Sequence, residues 1–252
     1  MTKKYELVLD DTISFWGWKL FRIRALISFG SVEVGDLGGY IEKEENLSHD
    51  GNAWVYGNAK VWGNAEVWGD AKVSGNAEVW GNAKVSGNAK VWGDAKVSGN
   101  AWVYGDAKVW GNAEVWGDAK VSGNAKVSGN AKVSGNAWVY GDAKVWGNAK
   151  VSGNAKVWGN AEVWGNAKVS GNAKVWGNAE VSELGDIIVF KNHWSSGRHF
   201  TYTKSNKMWK VGCFYGTGQE LIKKAYRDSE KSGNYYKAYV DFVETLERLS
   251  EE

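Results

Sequence analysis

Proline is absent from this chain of 252 residues, and cysteine occurs once, as Cys213. Because proline cannot donate a hydrogen bond to a β-ladder, its absence lets long ladders run without interruption. A single cysteine excludes an internal disulfide framework and fits a reducing compartment. No apolar run reaches the roughly 18 residues that a membrane span requires, and residues 1–30 lack the pattern of a signal peptide. We therefore expect a soluble, cytoplasmic protein without a membrane partner.

The chain is dominated by one six-residue unit, repeated 22 times without a break from Gly51 to Ser182. The unit reads Gly, Asn or Asp, Ala, a variable Lys, Glu or Trp, then Val, and finally Trp, Ser or Tyr. Ala and Val lie two positions apart, so they share the inward face of a strand, while the fourth and sixth positions point outward. Gly and Asn or Asp tolerate positive φ and suit a tight corner. A hexapeptide period indicates a parallel β-helix.

Three such sides close a triangle of 18 residues per coil, and the 22 units then give about seven coils. With strands about 4.8 Å apart, the rod is roughly 35 Å long. We predict an all-β solenoid, a triangular parallel β-helix over residues 51–182. Bare solenoid ends expose unpaired backbone, so residues 1–50 are expected to form an N-terminal β cap and residues 183–252 a C-terminal α+β cap.

Inside the caps the sequence predicts short strands and two helices. A strand at residues 5–9, a turn at Asp10 and Asp11, and two strands split near Gly17 are expected in the first cap. In the second cap we expect three strands and two helices, the helices being separated by a break at residues 232–234. The predicted strands are 186–191, 200–204 and 208–215, and the predicted helices are 219–231 and 235–249.

The repeat resembles that of left-handed parallel β-helices, as in bacterial hexapeptide acyltransferases and γ-class carbonic anhydrases. The string Trp-Val-Tyr-Gly-Asn-Ala-Lys-Val at residues 54–61 looks like uncharacterised bacterial and phage hexapeptide-repeat proteins described as polymer-forming. Segments 35–39 and 211–218 look like the end segments of those proteins. The resemblance implies left-handed winding and a bacterial host. Trp often follows the inward Val where acyltransferases have a small residue, so a right-handed helix, as in bactofilins, stays the alternative. The small number of residue types at each repeat position is also typical of an idealised, partly designed chain.

The enzyme activities of those relatives require residues that the repeat lacks. Acyl transfer needs a catalytic histidine and carbonic anhydrase needs several imidazoles on a metal, but His49, His193 and His199 all lie outside the repeat. We predict no catalytic residue, no metal and no cofactor. A cap-borne enzyme stays as a third hypothesis, since a cysteine and a histidine can form a nucleophile and its base. Its candidate residues are His193, Ser195, Ser196, Arg198, His199, Cys213 and Tyr215.

Outward rows on the side that begins at Gly51 give the candidate binding site. Under an 18-residue coil the fourth positions stack as Trp54, Lys72, Lys90, Lys108, Lys126, Lys144, Glu162 and Glu180. The sixth positions beside them stack as Tyr56, Ser74, Trp92, Trp110, Ser128, Trp146, Trp164 and Ser182. Basic and flat aromatic residues in adjacent rows suit an anionic or sugar polymer, such as single-stranded nucleic acid or an acidic glycan. The predicted binding residues are Lys72, Lys90, Lys108, Lys126, Lys144, Trp92 and Trp110.

The repeat holds 13 outward tryptophans, an unusual number for a solitary rod. They favour face-to-face association of the chain with itself, yet they occur on all three sides. The block Asn52 to Ser74 recurs almost unchanged at Asn100 to Ser122, eight units later and therefore on a different side. Our leading hypothesis is thus a generic, non-enzymatic structural or interaction scaffold of phage or prophage type, cytoplasmic or virion-associated. The alternative is a binding module for an anionic or sugar polymer.

Overall fold

A computed structural model describes residues 2–249 of the chain. The N-terminal cap contributes strands β1 (Tyr5–Phe15), β2 (Trp18–Ala25) and β3 (Leu37–Ile41) and a short 3-10 helix (Glu44–Asn46). β1 pairs antiparallel with β2, and β2 pairs antiparallel with β3. The repeat then supplies 22 strands, β4–β25, each centred on the fourth and fifth positions of one unit.

These 22 strands form three parallel sheets, which are the three sides of the rod. The first side comprises Trp54–Val55, Lys72–Val73, Lys90–Gly93, Lys108–Gly111, Lys126–Val127, Lys144–Val145, Glu162–Val163 and Glu180–Val181. The second side comprises Lys60–Val61, Glu78–Val79, Lys96–Val97, Glu114–Val115, Lys132–Val133, Lys150–Val151 and Lys168–Val169. The third side comprises Glu66–Val67, Lys84–Val85, Trp102–Val103, Lys120–Val121, Trp138–Val139, Lys156–Val157 and Lys174–Val175.

The register confirms the predicted coil length, since Lys90 lies opposite Lys108 and Val91 opposite Val109. The solenoid has about eight turns rather than seven, because the N-terminal cap adds two sides before the repeat begins. Strand β3 pairs in parallel with Lys60–Val61 on the second side, and Leu47 bridges Val67 on the third. The left-handed winding implied by the resemblance stays a prediction.

The interior of the rod is apolar, as the period of two predicts. Every repeat Ala and Val is at most 1% exposed. Each repeat Gly has φ between +60° and +74°, the left-handed region that a side chain disfavours. The fourth-position N–H donates to the Ala carbonyl of the next coil, as from Lys90 to Ala107 at 2.9 Å. Backbone pairing and Val–Ala burial together therefore hold the coils in place.

The corner residues form a second ladder along the rod. Each corner Asp accepts a hydrogen bond from the side-chain amide of the Asn one coil earlier, as in Asn88 Nδ2 to Asp106 Oδ1 at 2.9 Å. The other four pairs are Asn52–Asp70, Asn76–Asp94, Asn100–Asp118 and Asn124–Asp142. An amide is a donor that a second carboxylate lacks. Hence the sequence places an Asn, never an Asp, before each Asp.

The N-terminal cap closes the rod with hydrogen-bond donors. The buried Lys4 ammonium donates to the carbonyls of Gly51 and Ala53, at 3.3 and 2.9 Å. Asn46 Nδ2 donates to the carbonyls of Gly63 and Ala65, at 3.1 and 2.8 Å. Burial lowers the pKa of the Lys4 ammonium to about 8, although nearby carboxylates oppose the shift. These donors satisfy first-coil carbonyls that no earlier repeat covers.

The C-terminal cap closes the other end with acceptors. Thr201 Oγ1 accepts from the Lys174 N–H at 2.9 Å, and Ser205 Oγ accepts from the Glu180 N–H at 2.8 Å. Asp186 Oδ2 accepts the N–H groups of Ser182 and Glu183. Burial alone would raise the pKa of Asp186, but these hydrogen bonds hold it below its ordinary value. The two caps are thus complementary to opposite ends of the ladder.

The elements of this cap are strands Ile187–Lys191 (β26), His199–Thr203 (β27), Met208–Val211 (β28) and Phe214–Gly216 (β29), with a 3-10 helix at Leu184–Asp186. Two helices, α1 (Gly218–Asp228) and α2 (Glu230–Leu249), pack on the antiparallel sheet β26-β27-β28-β29. Their shared core comprises Phe200, Tyr202, Trp209, Leu221, Ala225, Tyr236, Val240 and Val243. The predicted strand 208–215 is wrong as one element, because Gly212 turns the chain at φ +56°.

Two further expectations for the caps are wrong. The predicted turn at Asp10 and Asp11 lies inside β1, where the pairing with β2 shifts register in a β-bulge. The predicted helix break at residues 232–234 lies inside α2, and the helices separate at Ser229 instead. Gly233 is buried against the ring of Tyr226, where a Cβ would lie 2.2 Å from Cδ1. Gly233 therefore lets α1 and α2 approach closely, and it does not end a helix.

Candidate binding surfaces on the three sides

The five predicted lysines form one line along the first side, which we call the Lys row: Lys72, Lys90, Lys108, Lys126 and Lys144. They occupy adjacent strands in register, and Glu162 follows Lys144. Both ends of the row are engaged within the chain. The Lys72 ammonium lies 3.2 Å from Ser31 Oγ, and the Lys144 ammonium lies 2.8 Å from Glu162 Oε1.

The middle of the Lys row has no acidic neighbour. Among the described residues, no carboxylate oxygen lies within 4.0 Å of the ammonium groups of Lys90, Lys108 or Lys126. The second side differs, since its fourth positions mix lysine and glutamate and Lys132 pairs with Glu114 at 3.1 Å. The first side therefore carries the longest unbroken run of lysines, five against three on the second side, and the middle three of the five have no ion pair.

The sixth-position aromatic rings stack along the rod where two fall in adjacent coils. Trp92 and Trp110 have ring centroids 5.0 Å apart and planes within 3° of each other. Trp146 and Trp164 stack at 6.0 Å, and Trp62 and Trp80 at 5.1 Å. Stacked rings turn their faces toward each other and their edges outward. Trp92 and Trp110 thus leave no room for a base between them, and only the outer face of each ring is free to stack.

The tryptophans that remain uncovered point outward as predicted, but few of them are fully exposed. Trp92 and most others are half-buried, because neighbouring coils cover their faces. Trp54 is only 1% exposed, because the cap residues Tyr5 and Phe29 pack on it. Their ring centroids lie 6.1 and 5.4 Å from that of Trp54. Trp62 is covered by Phe15 in the same way. The caps therefore bury part of the repeat surface as well as its end.

Several side chains at the fourth position lean back onto the sixth position of the preceding coil. The Lys84 ammonium lies over Trp68 at 5.7 Å. Trp102 follows the same rule: its indole N–H donates to Ser86 Oγ at 3.0 Å. The ring of Trp102 then lies between those of Trp68 and Tyr104, at 6.4 and 4.6 Å. Sequence reasoning missed this contact, although its signal is visible in the chain as a fourth-position Trp in the coil that follows a sixth-position Ser.

Trp138 repeats the arrangement of Trp102 two coils later. Its indole N–H donates to Ser122 Oγ at 3.1 Å, and its ring contacts Tyr140 at 4.5 Å. The covered serines Ser86 and Ser122 are 5% and 4% exposed, unlike the other repeat serines. The third side thus carries an aromatic column in which two small residues are covered by rings from the next coil.

The histidines and the cysteine of the C-terminal cap are not assembled into a nucleophile and base. His193 packs edge-on against Tyr235, and its Nδ1 lies 3.3 Å from the Tyr239 hydroxyl. His199 Nδ1 lies 3.2 Å from the side-chain amide of Asn172. Cys213 is exposed at the turn between β28 and β29. Within residues 2–249, no hydrogen bond joins Cys213 to a histidine, and no His, Cys, Asp or Glu cluster of metal-binding geometry occurs.

A family model described as the YdcK beta solenoid repeat matches residues 125–141, within the repeat. The match covers about one coil and supports a β-solenoid repeat protein, in agreement with the fold. No curated protein matches the chain. Neither α1 nor α2, the helices of the described part of the chain, combines the length and apolar character that membrane crossing demands.

Proposed function

We propose that this protein is a non-enzymatic structural or interaction scaffold: a rigid rod that presents contact surfaces in its two caps. The supporting observation is where exposed large apolar side chains lie. Among residues 2–249, only Trp164 of the repeat belongs to this set, at 38% exposure. The remainder lie in the N-terminal cap (Leu9, Trp16, Trp18, Leu26, Ile27, Val34, Leu37) and the C-terminal cap (Leu184, Val189, Tyr226, Phe242, Leu246, Leu249).

A rod of uniform repeats is well suited to this role. Its coils contact only their neighbours, so its length and stiffness follow from the number of units. Exposed apolar side chains such as Trp16, at 84% exposure, are typical of surfaces that another protein covers. The phage or prophage type rests on the resemblance of the repeat and its flanks, and with it a bacterial cytoplasm or a virion as the location. A second copy of the chain is the partner that we propose.

Self-association through the caps is expected to depend on Leu9 and Trp16 but not on Trp164. Sedimentation velocity over a concentration series measures it. The double variant Leu9→Ser/Trp16→Ser is expected to weaken association at least ~tenfold, because it removes two exposed apolar contacts. Trp164→Ser is the matched control from the rod. Loss of association only in the rod variant, or a parent that stays monomeric throughout, would contradict cap-mediated self-association.

The second candidate function is binding of an anionic polymer along the Lys row. It is supported by the middle lysines Lys90, Lys108 and Lys126, which have no internal counterion among the described residues. From Lys72 to Lys144 the row spans four coil steps, roughly 19 Å. Phosphates of a single strand are more widely spaced than the coils, so about three contacts form at once. Glu162 and Glu180 end the footprint by reversing the charge.

Replacing all five lysines of the Lys row with Gln is expected to abolish binding to an oligonucleotide or heparin at low salt. Parent binding should weaken with salt at a log–log slope near −2, about −0.7 per phosphate contact. Fluorescence anisotropy over a salt series measures both quantities. The matched control replaces the five lysines of the second side, Lys60, Lys96, Lys132, Lys150 and Lys168, with the same change in net charge. Equal loss in the two variants would assign binding to net charge alone.

A further inference from the structure

Isolated serines interrupt the aromatic columns at the sixth position. Five serines have an aromatic residue one coil before and one coil after them: Ser74, Ser86, Ser98, Ser122 and Ser128. Rings on adjacent coils stack at about 5 to 6 Å. Two rings separated by one serine are therefore about 10 Å apart, and one planar group between them would lie at ordinary stacking distance from both. Each such serine is the floor of a slot one ring thick.

The protein fills two of these slots itself. Trp102 covers Ser86 and Trp138 covers Ser122, and each donates its indole N–H to the serine hydroxyl. The ring of Trp102 is tilted by about 40° to Trp68 and Tyr104, and that of Trp138 by 36° to Tyr140. These contacts define what a slot accepts: a flat ring with a hydrogen-bond donor on its edge. The residue that leans into a slot is the fourth-position residue of the next coil on the same side. It is tryptophan at the two filled slots and a charged residue at the other three.

The slot at Ser128 lies between Trp110 and Trp146, and each of these is backed by a second stacked ring. The residue that would lean into it is Lys144, whose ammonium is bound to Glu162 one coil ahead. Lys144 is thereby held toward the next coil. Ser128 is half-buried, in contrast to the covered Ser86 and Ser122. The Ser128 slot is thus open at its outer edge.

We propose that the Ser128 slot binds the base of a nucleotide, with the phosphate on Lys108 and Lys126. A nucleobase has the flat ring and the edge donors that the indoles of Trp102 and Trp138 supply elsewhere. Lys126 precedes Ser128 by two residues, about 7 Å along the strand, within reach of a phosphate attached to the base. The proposal is independent of the scaffold role and deepens the second candidate, since it places one base of a single strand beside the Lys row.

Charge and the position of the N-terminal cap distinguish the three open slots. At Ser98, on the second side, the leaning residue is Glu114, which pairs with Lys132. At Ser74 the slot adjoins the N-terminal cap, where Ser31 contacts both Tyr56 and Lys72. Of the five slots, only that at Ser128 combines two flanking tryptophans with two successive lysines, Lys108 and Lys126, that have no ion pair. A neutral aromatic side chain from a second copy would gain nothing from those lysines, so an anionic ring is favoured.

The test is calorimetric titration of the full chain with adenosine 5′-monophosphate and with ribose 5-phosphate, which lacks the base. We expect the nucleotide to bind at one site and ribose 5-phosphate at least ~tenfold more weakly, because stacking is lost. Lys144→Trp recreates the spacing of Trp102 and Ser86 and fills the slot, so nucleotide affinity should fall at least ~tenfold. Lys144→Gln removes the same charge without filling the slot and should cost less than ~threefold.

Glu114→Trp is the matched control, because it fills the Ser98 slot and should leave nucleotide affinity unchanged. Three results overturn the proposal. They are equal affinity for adenosine 5′-monophosphate and ribose 5-phosphate, unchanged nucleotide affinity in Lys144→Trp, and a loss of nucleotide affinity in Glu114→Trp equal to that in Lys144→Trp. If Lys144→Trp does not fold, Ser128→Trp against Ser98→Trp makes the same comparison. Heparin separates the slot from the Lys row: heparin binding without nucleotide binding leaves the row and removes the slot. Nucleotide binding without heparin binding leaves the slot and removes the Lys row as a polymer-binding surface.

Discussion

Residues 51–182 on their own are expected to aggregate or to remain largely unfolded under conditions that keep the full chain folded. The repeat supplies most of the buried apolar residues, but both of its ends depend on groups from outside it. Lys4 and Asn46 satisfy first-coil carbonyls, and Thr201, Ser205 and Asp186 satisfy last-coil N–H groups. Uncovered parallel strand edges are templates for pairing with another chain.

Size-exclusion chromatography with light scattering and far-ultraviolet circular dichroism measure this outcome. The matched control deletes residues 105–122 from the full chain, which removes one coil and keeps both caps. Because each coil contacts only its neighbours, this shortened rod should stay folded. A monomeric, folded fragment 51–182 at high concentration would show that the caps are dispensable. Aggregation of the control as well would show that rod length, rather than capping, limits solubility.

Gly99→Ala is expected to lower the free energy of unfolding by about 3 kcal/mol, from left-handed strain and overpacking together. Gly99 has φ +67°, and a Cβ there would lie 2.9 Å from the backbone nitrogen of Gly117 in the next coil. Neither backbone can move without breaking the ladder on both sides. The effect of one methyl group on such a regular rod is therefore large.

Gly171→Ala provides the matched control, because its φ is +62° but nothing lies within 4 Å of its Cβ position. Only the backbone strain remains there, so about 1 kcal/mol is expected. Urea unfolding followed by circular dichroism compares the two variants. If both lose the same stability, the close approach of successive corners contributes nothing beyond the φ requirement.

Local rules account for what was predicted well. The interval between Ala and Val sets which residues are buried, and the Gly-Asn or Gly-Asp pair sets the corner. These contacts repeat once per coil. A correct prediction for one unit therefore predicts the whole rod and the alignment of the Lys row. Predictions failed where the role of a residue depends on another element that packs against it. Gly233 faces Tyr226 on another helix, and Asp10 and Asp11 lie in a β-bulge, so neither local turn signal applied.

The sequence by itself determined the parallel solenoid, the length of its coil, the apolar interior and the register that lines up Lys72 to Lys144. It did so because every one of those features depends on neighbours at a fixed interval. Tertiary structure alone decided which outward groups remain accessible. The caps bury Trp54 and Trp62, and stacking hides one face each of Trp92 and Trp110. Trp102 and Trp138 close slots over serines of the preceding coil. Side-chain direction across coils, which the residue pattern does not specify, is the physical reason.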